Sequence, residues 1–272
     1  MLLRCVQSPQ NRFRATVTLE AFRANYQDVG RREGRTIYLS DTDKEKIRAI
    51  LLSEGINPKT PPDAWRGITR ADALTLGNNE KLAGDPVKRR RVAIKALTPA
   101  HPIKLNGQVL FLPPRCHLDL DFDEAKTLSD HDWIVVVENW ECFNDIHIAA
   151  SALNFPGANP LVVWRGDTSE TRIDAMLAFL EQLSQPVAAF VDYDPAGLVI
   201  AGSLPRLSMI VTPSEQELEQ LMQKGLPNRY LDQIGGCQGQ LDHEPDPTIA
   251  RLWSIIRRSG RALPQEHFVR SK

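Results

Sequence analysis

Between residues 133 and 212 the chain holds four short apolar runs, WIVVVEN, PLVVW, PVAAFVD and RLSMIVT, spaced by polar or helix-patterned stretches. Unbroken runs of branched residues belong to strands covered on both faces, as in a parallel sheet. After the second run, Asp167 and Glu170 form a capping-box pattern, and Ile173, Met176, Leu177, Leu180 and Leu183 mark one apolar helical stripe. The series β-α-β-α-β-α-β predicts an α/β domain with a twisted, Rossmann-like parallel sheet and right-handed crossovers. Ser214 with Glu217, and Asp246 with Pro247 and Gly260, bracket two further helices. The polar span GGCQGQLDHEPD between them reads as a surface loop.

Ligands of such a sheet gather beyond the carboxyl ends of its strands. Glu138 stands at that end of the first run, and Asp192 and Asp194 at that end of the third. Carboxylates brought together need a proton or a cation between them, so the pattern calls for Mg²⁺ or Mn²⁺. Each residue has a plainer reading: Asp194 before Pro195 suits a helix N-cap, and Glu138 suits an exposed strand end. Their joint placement on one sheet edge favours the metal site.

The front of the chain differs in charge. Residues 1–105 hold 20 Lys+Arg and 11 Asp+Glu, while residues 106–272 hold 13 and 23, although the whole chain is near neutral. A basic module beside an acidic one suits a polyanion partner, and Lys88, Arg89, Arg90 and Arg91 are the candidates for phosphate contacts. DTDKEKIRAILLSEG predicts a helix, residues 70–76 a second, and VKRRRVAIKAL a strand. Asn106-Gly107 signals a hairpin. In HLDLDFDE the alternation turns Asp119, Asp121 and Asp123 outward, and the glycine that a calcium loop requires is missing, so a strand is expected there. These features predict a smaller α+β, winged-helix-like domain over residues 1–125 ahead of the α/β domain over 126–272.

The four cysteines lie far apart, which suits a reduced, cytoplasmic setting, and no segment approaches the ~18 apolar residues of a membrane span. No GKS or GKT phosphate loop is present, so energy-driven steps would fall to a partner.

IVVVENWECF followed by AAFVDYDPAG, a strand ending in Glu and a later strand ending in D-x-D, resembles the Toprim domain of type II topoisomerases, DnaG-type primases and OLD-type nucleases. VVENWECF with FVDYDPAGLVIA is similar to the JetD/MksG nuclease family of Wadjet-type SMC anti-plasmid systems, itself akin to the A subunit of topoisomerase VI. The resemblance implies a metal-dependent endonuclease acting on plasmid DNA, homodimeric and partnered by an SMC-type ATPase complex. It assigns Glu138, Asp192 and Asp194 to metal and catalysis, with Glu138 also a possible general base. Asn139 would steady a ligand by hydrogen bond. RALPQEHF resembles the family's terminal Gln-Glu element, which adds Gln265 and the metal candidate Glu266.

Topoisomerase-like relatives cut through a tyrosine on the winged-helix module, where this chain offers Tyr26 and Tyr38. No activating environment is legible around either, so direct metal-assisted hydrolysis is expected instead. Two other readings stay open: a catalytically silent Toprim module that binds DNA or an SMC partner, and a primase or RNA-processing enzyme.

Overall fold

The computed structural model describes residues 1–78, 88, 90–128, 130–167 and 173–270. It divides into two units, Met1–Val87 and Lys88–Lys272.

The first unit contains α1 (Leu2–Gln7), β1 (Arg12–Arg14), α2 (Val17–Asn25), β2 (Arg31–Glu33), β3 (Thr36–Tyr38), α3 (Asp41–Ser53) and α4 (Arg70–Ala73). The strands form an antiparallel sheet in the order β1-β3-β2, with Gly34 at φ +62° turning the tight β2–β3 connection. Helix α3 starts where the sequence places it. Ser40 Oγ accepts from the Asp43 N–H at 3.1 Å, and the Asp43 carboxylate accepts from the Ser40 N–H at 2.8 Å. Ile47 and Leu51 of α3 close a small core with Leu3, Val6, Leu19, Ile37 and Leu39. Tyr38 lies in β3 with the Arg31 guanidinium 5.6 Å from its ring centre, and Tyr26 is exposed beside Phe22.

The second unit begins with β4 (Arg91–Ala96), the hairpin β5 (Ile103–Leu105) and β6 (Gln108–Leu110), and β7 (Leu118–Asp121). Asn106 and Gly107 turn the hairpin with φ of 52° and 73°, the left-handed pair that this dipeptide favours. Next come β8 (Ile134–Val137), α5 (Trp140–Asn144), α6 (Ile146–Ala149), β9 (Leu161–Trp164), α7 (Ile173–Glu181), β10 (Val187–Phe190), α8 (Pro195–Gly202), β11 (Leu207–Ile210) and α9 (Glu215–Met222). The unit ends with α10 (Pro227–Leu241), α11 (Pro247–Ser259) and a 3₁₀ turn at Gln265–Phe268.

The four apolar runs are neighbouring strands, parallel throughout, in the order β11-β10-β8-β9. β4 and β7 extend this sheet on the β9 side, antiparallel, so it is a mixed six-stranded sheet. These two strands also move the division between the units. It falls at Val87/Lys88 instead of the expected 125/126, because Arg91–Ala96 and Leu118–Asp121 pair into the large sheet. Much of the charge asymmetry goes with them. Residues 1–87 hold 14 Lys+Arg against 11 Asp+Glu, and residues 88–272 hold 19 against 23.

A second correction concerns residues 235–241, expected in a surface loop. They form the last two turns of α10, whose Tyr230, Ile234, Cys237 and Leu241 lie on its packed face. Gly235, Gly236 and Gly239 sit where, among the described residues, nothing lies within 4 Å of an added Cβ, so glycine there costs helix propensity without being needed for space. Packing against α8 outweighs that cost.

The order of the parallel strands creates a crevice. From β8 the chain crosses to β9 on one side, and from the adjacent β10 it crosses to β11 on the other. Connections that leave two adjacent strands in opposite directions open a cleft beyond their carboxyl ends. The register pairs Val137 with Phe190, so Glu138 and Asp192 both emerge at this point. The strand residues beneath, Ile134 to Val137 and Val187 to Phe190, are fully buried. At ~1.5–3 kcal/mol for each large apolar side chain, the edge above them is held by a rigid base.

Candidate functional site

Three segments distant in sequence meet at the crevice because residues 262–263 fasten them together. Ala262 pairs with Leu226 at the entry to α10, and Leu263 pairs with Tyr193, each through two backbone hydrogen bonds of 2.7–3.1 Å. The chain then turns at Pro264 into the terminal 3₁₀ turn, and the Gln265 N–H donates to Asp192 Oδ1 at 2.8 Å. Glu138 Oε2 accepts from the Asp192 N–H at 3.2 Å. Asn139 caps α5 through the Glu141 N–H at 2.7 Å, and its Nδ2 donates to Glu266 Oε1 at 2.6 Å. Glu138, Asn139, Asp192, Gln265 and Glu266 are thus brought to one place.

Asp194 has a different setting. It is the N-cap of α8, with Oδ1 accepting from the Gly197 N–H at 2.8 Å and Oδ2 from Gln233 Nε2 at 3.0 Å. The side chain is buried and does not line the crevice. The plainer reading of Asp194 therefore describes its position, and Asp192 is the member of D-x-D that faces the opening. Gly197 makes the turn possible: a Cβ there would stand 2.1 Å from the Asp192 carbonyl oxygen.

Arg229 was not anticipated from the sequence. From the first turn of α10 its Nε approaches Asp194 Oδ2 at 2.9 Å, and its terminal nitrogen pairs with Asp192 Oδ2. Gln233, one turn later, completes the set by accepting from the Ala196 N–H at 3.1 Å. Pro227 as a first-turn residue and the spacing of Tyr230, Ile234, Cys237 and Leu241 were the available signals for this helix.

One guanidinium does not balance the acids. Burial, with the Asp192 charge next in weight, pushes the Glu138 carboxyl up to about 7. Burial also raises Asp192, outweighing the Gln265 N–H and the Arg229 charge. Glu266 Oε2 is enclosed without a hydrogen-bond partner among the described residues. Buried carboxylate oxygens with raised proton affinity and an orphaned acceptor among them form a hard-oxygen donor set, which fits Mg²⁺ or Mn²⁺ in chemical type. Among the described residues, no three or more His, Cys, Asp or Glu side chains are drawn into a group able to hold an ion. With Arg229 on Asp192 and Asp194, the residues fit the ion by chemistry while the present side-chain arrangement is the arginine-paired one.

The acids open on a cleft of about 520 Å³, also lined by Trp140, Trp164, Arg165, Asp167 and Arg229. Trp140 and Trp164 lie 4.7 Å apart, ring centre to ring centre, at 71°. Neither tryptophan was singled out from the sequence, because each sits at an element end where an apolar residue needs no special explanation.

The basic candidates are placed elsewhere. Arg90 pairs with Asp121 at 3.0 Å and with Asp123, and Arg91 pairs with Asp119 at 2.9 Å. Asp119 and Asp121 of β7, with Asp123 just beyond it, thus meet Arg91 of β4 and the adjacent Arg90 across the strand pair. Lys88 is exposed, and Arg89 lies outside the described residues, as does Glu170 of the expected capping box. Tyr193 is fully buried, with its hydroxyl donating to the Val211 carbonyl at 2.9 Å, and burial raises its pKa, so it is no nucleophile. No helix among the described residues is long and apolar enough to cross a membrane.

A family model described as a domain of unknown function (DUF7281) matches residues 90–272, which span the whole mixed sheet and every residue of the crevice. No curated protein matches the chain.

Proposed function

The chain belongs to the DUF7281 family, a domain of unknown function, and from its crevice we propose that it is a Mg²⁺- or Mn²⁺-dependent DNA endonuclease with a Toprim-type catalytic domain. The observation that carries this reading is the convergence of Glu138, Asp192 and Glu266 at the switch point of the parallel strands. Glu138 and Asp192 resist ionisation there, and Glu266 has an oxygen without a partner among the described residues. Glu138, Asp192 and Glu266 would hold the ion, with Asp194 supporting from the α8 cap, and such an ion supplies polarisation of a phosphoryl oxygen and an acidified water.

The chain's own groups supply the rest. In the ion-free crevice Glu138 has a pKa of about 7, so binding of the ion near neutral pH would release its proton. Asn139 and the Gln265 N–H fix the carboxylates of Glu266 and Asp192. Arg165 and Arg229 line the cleft as the cations for a phosphate. The resemblance of VVENWECF and FVDYDPAGLVIA to JetD/MksG extends the proposal: plasmid DNA as substrate, an SMC-type ATPase complex as partner, a homodimeric state, and a winged-helix role for the first unit.

The test is cutting of supercoiled plasmid by the purified chain in Mn²⁺, alone and with its SMC partners. Cutting that disappears in Glu138→Gln and Asp192→Asn, with both variants folded, is the expected result. Plasmid left intact under both conditions overturns the reading. One observation favours a second reading, a catalytically silent Toprim module: Arg229 already pairs with both Asp192 and Asp194. That reading expects DNA or partner binding that is indifferent to divalent ions.

A further inference from the structure

The indole of Trp140 is 39% exposed although it stands at the first position of α5, directly after Glu138 and Asn139. Three rings pack around it. Trp164 meets it nearly edge-on at 4.7 Å, His117 at 5.1 Å and 88°, and Phe143 at 5.2 Å. A large aromatic ring gains by burial, so one left partly open in a cleft wall has surface available to a ligand. Beside it, Trp164 Nε1 and Arg165 Nε are enclosed and have no hydrogen-bond partner among the described residues. The same cleft carries Glu138, Asp192 and Glu266.

We infer that this wall is a binding site for an unpaired nucleobase, which stacks on Trp140 while the adjoining phosphate lies along the acidic edge. A base offers a π-face to Trp140 and carbonyl or ring-nitrogen acceptors to donors nearby, and its phosphate matches the Arg165 and Arg229 charges. A paired duplex shows only base edges in its grooves, so Trp140 can be used only by a base out of the stack. The enzyme would accordingly engage single-stranded or locally opened DNA at the point of cutting. The assignment of DNA as the strand rests on the nuclease reading above. The aromatic wall itself does not, because its binding can be measured without cleavage.

The experiment uses the full chain in Ca²⁺ and compares, by fluorescence anisotropy, a dye-labelled ten-nucleotide thymidine strand with a strand of the same length made of abasic sites. The thymidine strand should bind about tenfold more tightly, the worth of one stacked base. Trp140→Ala should remove that preference while leaving abasic-strand affinity unchanged, and Trp140→Phe should keep most of it. Equal binding of the two strands, or a preference untouched by Trp140→Ala, overturns the inference. Plasmid cutting in Mn²⁺ is scored separately. Base preference without cutting sinks the nuclease reading and leaves the base site standing, whereas cutting without base preference sinks only the base site.

Discussion

Arg229 Nε lies 2.9 Å from Asp194 Oδ2, and the same guanidinium pairs with Asp192 across the D-x-D turn. The arginine is a tethered cation occupying carboxylates that a divalent ion would also use. Arg229→Ala leaves two buried acids uncompensated, at a cost of about 2 kcal/mol in ion-free buffer once the partial exposure of the arginine is allowed for. Removing the competitor should tighten Mn²⁺ binding by about tenfold, since the ion no longer displaces a buried pair. Thermal denaturation with and without Mn²⁺ measures both effects, and a variant whose ion affinity matches the wild type would show that Arg229 and the ion use separate groups.

Acid and base should act on stability through Glu138. Its folded pKa of about 7 stands above the ordinary 4.5, so the folded state holds a proton that the unfolded chain has lost. Stability from this group is complete below about pH 4.5 and declines as pH rises to about 7. The total loss is on the order of 3 kcal/mol, with Asp192 changing in the same direction. Denaturant midpoints in ion-free buffer should fall between pH 5 and 8, and Glu138→Gln should flatten the profile. An unchanged slope in that variant would assign the dependence to other groups.

Gly197 is a spatial requirement. Its φ is ordinary, but a Cβ would press on the Asp192 carbonyl at 2.1 Å, a backbone atom that cannot move without shifting the site. Gly197→Ala should destabilise the protein by about 3 kcal/mol or more and abolish ion binding, whereas alanine at exposed Gly239, with nothing nearby, should be neutral or stabilising. A well-folded Gly197→Ala that binds Mn²⁺ normally would contradict this description of the turn.

The parallel strands and the acids at their ends were legible because their causes are local: unbroken branched runs, a capping aspartate and the spacing of Glu138 from Asp192. Gln265 and Glu266 reached the site only through resemblance, and the structure supplies the reason in the pairing of Leu263 with Tyr193, a contact 70 residues apart in sequence. Arg229 stayed hidden because three glycines and several glutamines obscured the helical stripe of α10. The basic run 88–91 shows the converse. Its charge was visible, but the partners of Arg90 and Arg91 on β7 follow from strand pairing, which no local pattern displays.

The most direct measurement is a calorimetric titration of Mn²⁺ into the full chain at pH 6.5, where Glu138 still holds most of its proton, repeated for Asp192→Asn and Glu138→Gln. A metal site at the crevice requires saturable binding with proton release in the wild type, weakened at least tenfold in each variant. Absence of binding heat in the wild type, or the same isotherm in all three proteins, would contradict it.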